Sequence, residues 1–267
     1  MQVLALDFDG VISDSAPEAF VVALRAYVGL RGGSPLASHL SALEHAPGGL
    51  DRDLVTALPL YAEYVDFMPL GNRAEDFGVE LAALESGRSL CDQADYDAFK
   101  CEIEANDPEF LAAFHSRFYL ERTAFAEADS DTWHGLLGPY PEFLAILRRR
   151  ARDRVLAIAT AKDRASVERL LDSYGITDLF ANRRVLDKET GVSKRAHLEE
   201  LQRRTTVPYE LIGFVDDKVN HLEDVASLGV RCVLAAWGYN GPREHERARA
   251  RGFDVCSLGD AEHVLFD

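Results

Sequence analysis

Residues 3–14 read VLALDFDGVISD, an apolar run that ends in two aspartates separated by a single residue. Four consecutive apolar residues are typical of a strand buried on both faces, as in a parallel sheet flanked by helices. If the extended backbone continues past that run, Asp7 and Asp9 project to one side of it and Phe8 to the other. Two carboxylates at one site repel each other, and either a shared proton or a divalent cation relieves the repulsion.

This segment has two other interpretations, a simple turn and a calcium-binding loop. Asp and Gly are common turn residues, so a polar strand end also explains the pattern. An EF-hand loop beginning at Asp7 needs an acidic or amide residue at position 11 and a glycine at position 12. This chain has Val11 and Ile12 there, so the sequence argues against an EF-hand. Gly10 permits a sharp turn and leaves room for a ligand, at the strand end where α/β sheets bind ligands.

Composition narrows the class of protein. A chain of 267 residues with 47% hydrophobic residues can fill a sizeable core or two. Its net charge of −16 argues against nucleic acid and anionic membranes as partners, since both are bound through clustered Lys and Arg. No apolar run is long enough to span a bilayer, and no targeting segment precedes Val3. Four cysteines without a CxxC pair indicate free thiols, so we expect a cytoplasmic protein.

The charge is distributed unevenly, which indicates two bodies. Residues 17–135 carry 8 Lys or Arg against 21 Asp or Glu, a net charge of −13. The remaining residues carry 21 against 24, a net charge of −3. Apolar residues recur at helical spacing through the acidic segment, which predicts an all-helical insertion over 17–135.

Strand and helix patterns alternate in the second half of the chain. Apolar strand-like runs lie at 155–159, 211–215 and 230–236, with a weaker run at 184–186. Helical spacing is found at 141–152, 164–174, 194–204 and 219–228. Strands separated by such helices form βαβ units and therefore a parallel sheet. The predicted fold is a Rossmann-like α/β core of residues 1–16 and 136–267, with the helical segment inserted as a second domain.

Polar residues follow three of the predicted strands. Thr160 follows 155–159, and Asp216 with Asp217 follows 211–215. Parallel strands place these ends at one edge of the sheet, so the three residues and the Asp7 pair converge there. Lys194 begins the predicted helix 194–204, which lies between the strands at 155–159 and 211–215. Each residue has a simpler explanation as a cap or a solvated first-turn residue, but the set is less easily explained that way.

This set of motifs resembles the haloacid dehalogenase superfamily. DFDGV at residues 7–11, Thr160 after a strand, Lys194 ahead of the next unit and FVDD at 214–217 match its four motifs. VISDSAPEAF at residues 11–20 and LAAWGYN at residues 234–240 are similar to the phosphoglycolate phosphatase branch. The resemblance implies a helical cap inserted after the first motif, which is where the acidic segment lies.

The resemblance also implies a reaction, namely hydrolysis of a small phosphorylated metabolite with Mg²⁺. Asp7 is then the nucleophile that forms an aspartyl-phosphate, and Asp9 is the general acid and base. Thr160 and Lys194 hold the phosphoryl oxygens. Substrate contacts are expected from Gly10, Thr160, Ala161 and Lys194, and metal contacts from Asp7, Asp9, Asp216 and Asp217.

The motifs leave open which residue of the acidic pair, Asp216 or Asp217, binds the metal directly. Spacing to Gly229 favours Asp217 as the direct ligand, with Asp216 behind it or linked through water. Related phosphatases carry another acid four residues later, whereas this chain has His221. The eight histidines show no ligand constellation, and Lys162 is either a substrate contact or, more simply, an exposed lysine.

Several functions compete with phosphatase. The dehalogenase branch lacks the second aspartate, which is present here as Asp9. The phosphonatase branch replaces that aspartate and needs a cap lysine, for which only Lys100 is available. A phosphomutase shares the core chemistry, and a non-catalytic binding or regulatory relative would keep the fold alone. The sequence does not indicate the particular substrate or the oligomeric state.

Overall fold

The computed structural model describes residues 1–71, 73–180 and 184–267. The chain divides into two compact units. Unit 1 combines Met1–Asp14 with Pro139–Asp267, and unit 2 is the intervening segment Ser15–Gly138. Unit 1 is therefore discontinuous in sequence, as expected for a scaffold that carries an insertion, and its bounds lie close to the predicted 1–16 and 136–267.

Eight strands are described. They are β1 (Val3–Leu6), β2 (Ser13–Asp14), β3 (Gly138–Pro139), β4 (Val155–Ala159), β5 (Val185–Leu186), β6 (Ile212–Asp216), β7 (Arg231–Ala235) and β8 (Asp254–Cys256). Six of them form one sheet in the order β5-β4-β1-β6-β7-β8, and all pairs in it are parallel. The predicted parallel α/β fold is confirmed. Strand β8 was not predicted, because its three residues form no recognisable apolar run.

The helices of the two units differ in arrangement. Unit 2 contains α1 (Ala16–Leu30), α2 (Ala37–Glu44), α3 (Arg52–Thr56), α4 (Pro59–Phe67), α5 (Ala74–Ser86), α6 (Gln93–Asn106), α7 (Phe110–Ala128) and α8 (Ser130–Leu136). Unit 1 contains α9 (Pro141–Arg150), α10 (Arg164–Ser173), α11 (Lys194–Thr205), α12 (Val219–Ala226), α13 (Pro242–Ala250) and α14 (Ala261–Phe266). Short 3₁₀ turns occur at Met68–Leu70, Thr177–Leu179 and Tyr209–Leu211. The four helices predicted in the second half correspond to α9–α12, with ends that shift by one or two residues.

The core of unit 1 is built from strand alternation. Val3 and Ala5 of β1 point to the same face as Phe214 of β6, and all three are fully buried. Helices α11 and α12 cover this face with Leu198 and Leu222, among others. Because both faces of β1 are buried, a short apolar strand without a polar face is stable at this place.

Unit 2 has an aromatic core. Helices α1, α5 and α7 pack against each other, and Phe20 meets Tyr64 with ring centroids 5.1 Å apart. Tyr27 of α1 meets Phe110 of α7 edge to face at 5.9 Å. Edge-to-face contacts of this kind add to the free energy gained from burial. No helix among the described residues has the length and apolarity needed to cross a bilayer.

A buried ion pair lies within unit 2. Both carboxylate oxygens of Glu18 accept hydrogen bonds from Arg122, at 2.8 and 2.6 Å. Trp133 Nε1 donates to the same carboxylate at 3.0 Å. Glu18 is fully buried, so these three donors compensate for the water that its carboxylate has lost.

Candidate active site

The register of the sheet brings the predicted residues to one edge. Leu6, the last residue of β1, pairs with Ile158 on one side and with Val215 on the other. The residues that follow these positions therefore lie side by side at the carboxyl ends of three neighbouring strands. Asp7 is fixed there by its own backbone amide, which donates to the carbonyl of Val215 at 2.9 Å.

The backbone does not remain extended after Asp7. The amides of Ile12 and Ser13 both donate to the carbonyl of Phe8, at 2.9 Å each, which closes a tight turn. The expectation that Asp7 and Asp9 alternate along one continued strand is therefore wrong. Gly10 has φ +78°, a conformation that glycine adopts at little cost, and this explains why a glycine follows the second aspartate.

Lys194 is the central cation of the site. Its Nζ lies 2.6 Å from Asp7 Oδ1 and 3.2 Å from Asp216 Oδ2. It also donates to the carbonyl of Ala159 at 2.8 Å. Ser193 caps α11 by accepting from the amide of Ala196, so the helix begins at the lysine and holds its stem. One buried ammonium thus links the ends of β1, β4 and β6.

The buried carboxylates perturb one another. Burial raises the pKa of Asp7 well above its ordinary value, with Lys194 opposing the rise and the acidic pair adding to it. Burial likewise raises the pKa of Asp217 to about 7, and the charge of Asp216 adds to that rise. For Asp216 burial also acts upward, but His221, Lys194 and hydrogen bonds outweigh it and lower the pKa.

The two acids of the FVDD motif have different surroundings. Asp217 Oδ2 accepts from the amide of Tyr239 at 2.9 Å, and the Asp217 carbonyl accepts from Asn240 Nδ2 at 3.0 Å. A Cβ atom at Gly10 would overlap the Asp217 carboxylate, so glycine is required for this approach. Asp216 is instead held by the amide of Lys218, which donates to its Oδ1 at 2.9 Å.

Asp9 has a lysine of its own. Lys162 Nζ lies 3.3 Å from Asp9 Oδ1, and the Lys162 side chain is only 11% exposed. The amide of Lys162 donates to Thr160 Oγ1 at 3.1 Å, while the amide of Thr160 donates to the carbonyl of Leu186. Thr160 is buried and Ala161 is exposed beside it. The simpler interpretation of Lys162 as an exposed lysine is wrong.

A group of possible metal ligands lies within the same cluster. One donor atom each from Asp7, Asp216 and His221 lie within 4.8 Å of one another. The two carboxylates of this group supply oxygen donors, which suit Mg²⁺. Three buried carboxylates also face one buried lysine, so a dication would balance the remaining charge. The residues present therefore fit a divalent metal. The assignment of Asp217 as the direct ligand stays a prediction, because Asp217 is not part of this group.

Sequence reasoning missed three features of the site. These are the ion pair of Lys162, the approach of His221 to Asp216, and the contacts that Tyr239 and Asn240 make with Asp217. The WGYN stretch contained a usable signal for the last of these. It directly follows β7, whose end lies beside that of β6 in the sheet, so its residues could have been expected near the acidic pair.

The carboxyl edge of this parallel sheet therefore holds a site built from carboxylates and lysines. A family model for haloacid dehalogenase-like hydrolases matches residues 1–229. The chain therefore belongs to the haloacid dehalogenase-like hydrolases. The family expected from the motifs is confirmed, and with it the expectation of a hydrolase.

Relatives agree with this assignment. Human magnesium-dependent phosphatase 1 is 29% identical over 103 residues, which is 38% of this chain. The match spans 56% of the length of that relative. A predicted phosphoglycolate phosphatase from Haemophilus somnus 129PT has a TM-score of 0.59 at 18% identity, covering 99% of this chain and 97% of that one. A haloacid dehalogenase-like hydrolase from Streptococcus pneumoniae has a TM-score of 0.59 at 12% identity, covering 96% and 93%. At these identities the solved structures show a shared fold.

Proposed function

We propose that this chain is a magnesium-dependent phosphatase that hydrolyses a small phosphorylated metabolite through a phosphorylated Asp7. The observation that carries the proposal is the position of Lys194, which lies 2.6 Å from Asp7 Oδ1 at the carboxyl edge of the sheet. A lysine there offsets the charge of a phosphoryl group next to a carboxylate nucleophile. The name of the human relative supports magnesium as the metal.

The first half of the proposed reaction transfers the phosphoryl group to the enzyme. An Asp7 carboxylate oxygen attacks phosphorus, and the bond from phosphorus to the substrate oxygen breaks. Asp9, which begins this step protonated, gives its proton to that leaving oxygen. The Thr160 hydroxyl and the Lys194 ammonium bind phosphoryl oxygens, which lowers the energy of the transition state.

The second half releases inorganic phosphate. Asp9 is now a carboxylate and takes a proton from a water molecule, which attacks phosphorus as the bond to Asp7 breaks. The cycle ends with Asp7 ionised and Asp9 protonated, as it began. A bound Mg²⁺ would supply charge neutralisation between the phosphate and the carboxylates. Asp7, the Asp9 carbonyl, Asp216 and Asp217 are the residues that we propose hold it, with Gly10 and Ala161 beside the phosphoryl group.

Unit 2 is proposed to be the cap that selects the substrate. Its position in the sequence, directly after the first motif, matches that of the helical cap in this family. Lys100, the candidate for phosphonatase chemistry, forms an ion pair of 2.7 Å with the buried Asp76. The pairing holds the Lys100 side chain against a carboxylate within unit 2, and so it supports the phosphatase over that branch.

The test is a panel of phosphorylated metabolites, phosphoglycolate among them, incubated with purified protein and Mg²⁺. We expect release of inorganic phosphate that stops when the metal is chelated and in Asp7→Asn. Asp172→Asn, at an exposed position of α10, serves as the matched control and should keep full activity. Transfer of phosphate to a second metabolite instead of water would identify a mutase. Absence of turnover on every substrate would favour the non-catalytic relative.

A further inference from the structure

His221 contacts a buried carboxylate of the candidate active site, that of Asp216. It lies in the first turn of α12, four residues after Asp217, and its Nδ1 is 3.1 Å from both oxygens of Asp216. It belongs to the one group of donor atoms, with Asp7 and Asp216, that the described residues assemble for a metal ion.

The spacing of these atoms suits two ligands of one ion. Ligand atoms about 2.1 Å from an octahedral ion, at right angles to each other, are about 3 Å apart. The 3.1 Å between His221 Nδ1 and the Asp216 oxygens agrees with that separation. It also agrees with a hydrogen bond from Nδ1–H to the carboxylate, so the distance alone leaves two arrangements.

The surroundings of Asp216 distinguish the two arrangements. Its carboxylate is fully buried and already accepts from the amide of Lys218 at Oδ1 and from Lys194 at Oδ2. A further donor from His221 is therefore not needed to satisfy it. Asp217 and Asp7 are buried beside it with the single buried ammonium of Lys194, so the cluster has negative charge left for a cation.

We propose that His221 supplies a nitrogen ligand, through Nδ1, to a cation shared with Asp7 and Asp216. This inference rests on the proposed metal-dependent function, and it adds a preference. Imidazole is a better ligand for first-row transition metals than for Mg²⁺, whereas carboxylate suits Mg²⁺ and Mn²⁺. The site is therefore selective for Co²⁺ over Mg²⁺, to a greater degree than an all-oxygen site would be.

The experiment reads metal ligation directly, without turnover. Mn²⁺ is added to the purified full-length protein, and pulsed electron paramagnetic resonance is used to detect coupling of the ion to nitrogen. We expect ¹⁴N coupling that is replaced by ¹⁵N coupling when the histidines are labelled with ¹⁵N. The coupling should vanish in His221→Asn and persist in His263→Asn, whose side chain is 85% exposed.

Affinities provide the second measurement. In His221→Asp, which substitutes an oxygen donor, the ratio of the Mg²⁺ to the Co²⁺ dissociation constant should fall roughly tenfold, the size of effect typical of altering a metal site. Circular dichroism of both variants, compared with the unmodified protein, confirms that they are folded.

The outcomes separate this inference from the proposed function. Mn²⁺ bound without nitrogen coupling, in protein that hydrolyses a phosphomonoester with Mg²⁺, overturns the role of His221 and leaves the phosphatase in place. Nitrogen coupling from His221 in a protein without phosphatase activity supports the ligand and counts against the proposed function. An unchanged affinity ratio in His221→Asp also overturns the inference.

Discussion

Lys162 Nζ lies 3.3 Å from Asp9 Oδ1, so the proposed general acid has a cation beside it that is distinct from the lysine on the nucleophile. The same residue is tied by its backbone to Thr160 Oγ1. The loop after β4 therefore orients both a proposed phosphate ligand and the proposed acid.

Replacing Lys162 tests whether this ion pair contributes to turnover. Lys162→Met keeps the length of the side chain and removes the charge, so the Asp9 carboxyl loses one of its fixed partners. We expect kcat/KM to fall about tenfold or more, as misplacement of a catalytic group does, and Lys162→Arg to recover part of it. Lys188→Met, at an exposed lysine nearby in the sequence, is the control, and an equal effect in both variants would refute the role.

Asp9→Asn removes the proton donor while preserving size. Turnover should drop by roughly two to four orders of magnitude, the usual contribution of a positioned acid or base. The loss should be smaller for p-nitrophenyl phosphate than for an alkyl phosphate, because a good leaving group needs less protonation. Rates measured on both esters provide the check, and an identical loss on the two would argue against proton donation by Asp9.

Gly10→Ala should damage the site through sterics. Its Cβ would overlap the Asp217 carboxylate, and φ +78° is unfavourable for alanine. We expect a loss of about 1–3 kcal/mol in stability and a large loss of activity. Gly33→Ala is the matched control, since Gly33 has φ +91° and no atom within 4 Å of the added Cβ. Urea denaturation and turnover of both variants should show strain in each but loss of activity only in Gly10→Ala.

The buried pair of unit 2 makes a separate prediction about stability. Arg122→Met leaves the carboxylate of Glu18 buried with a lost partner, which typically costs about 3 kcal/mol or more. Adding Glu18→Gln to Arg122→Met should restore much of the lost stability, because the oxygen of a neutral amide still accepts a hydrogen bond from Trp133. Arg117→Met breaks an exposed i,i+4 pair and should cost well under 1 kcal/mol. If Arg122→Met is as mild as Arg117→Met in urea denaturation, the pair contributes little.

Much of the sheet was predictable because its signals are local. Residues 155–159 form β4 as predicted, since an unbroken apolar run in an α/β pattern indicates a strand buried on both faces. The convergence of Asp7, Thr160 and Asp216 followed from one rule, namely that parallel strands share a carboxyl edge.

The rest depends on loops that bring together residues distant in sequence. The contact of Tyr239 with Asp217 requires the chain after β7 to fold back over the end of β6, and no periodicity encodes that path. The pairing of Lys162 with Asp9 likewise joins two loops after different strands. The strand also ends earlier than an extended reading of VLALDFDGV predicts, because a turn follows Asp7 in which the amides of Ile12 and Ser13 both donate to the Phe8 carbonyl.

The central claim is that the phosphoryl group is carried by Asp7, and it can be measured directly. Protein turning over its best substrate is treated with borohydride, which reduces an acyl phosphate to an alcohol, and peptides containing residue 7 are analysed by mass spectrometry. The account predicts homoserine at position 7, in a substrate-dependent manner, and none at Asp9 or Asp216. Continuing turnover with an unmodified Asp7, or with the reduced residue found elsewhere, would contradict it.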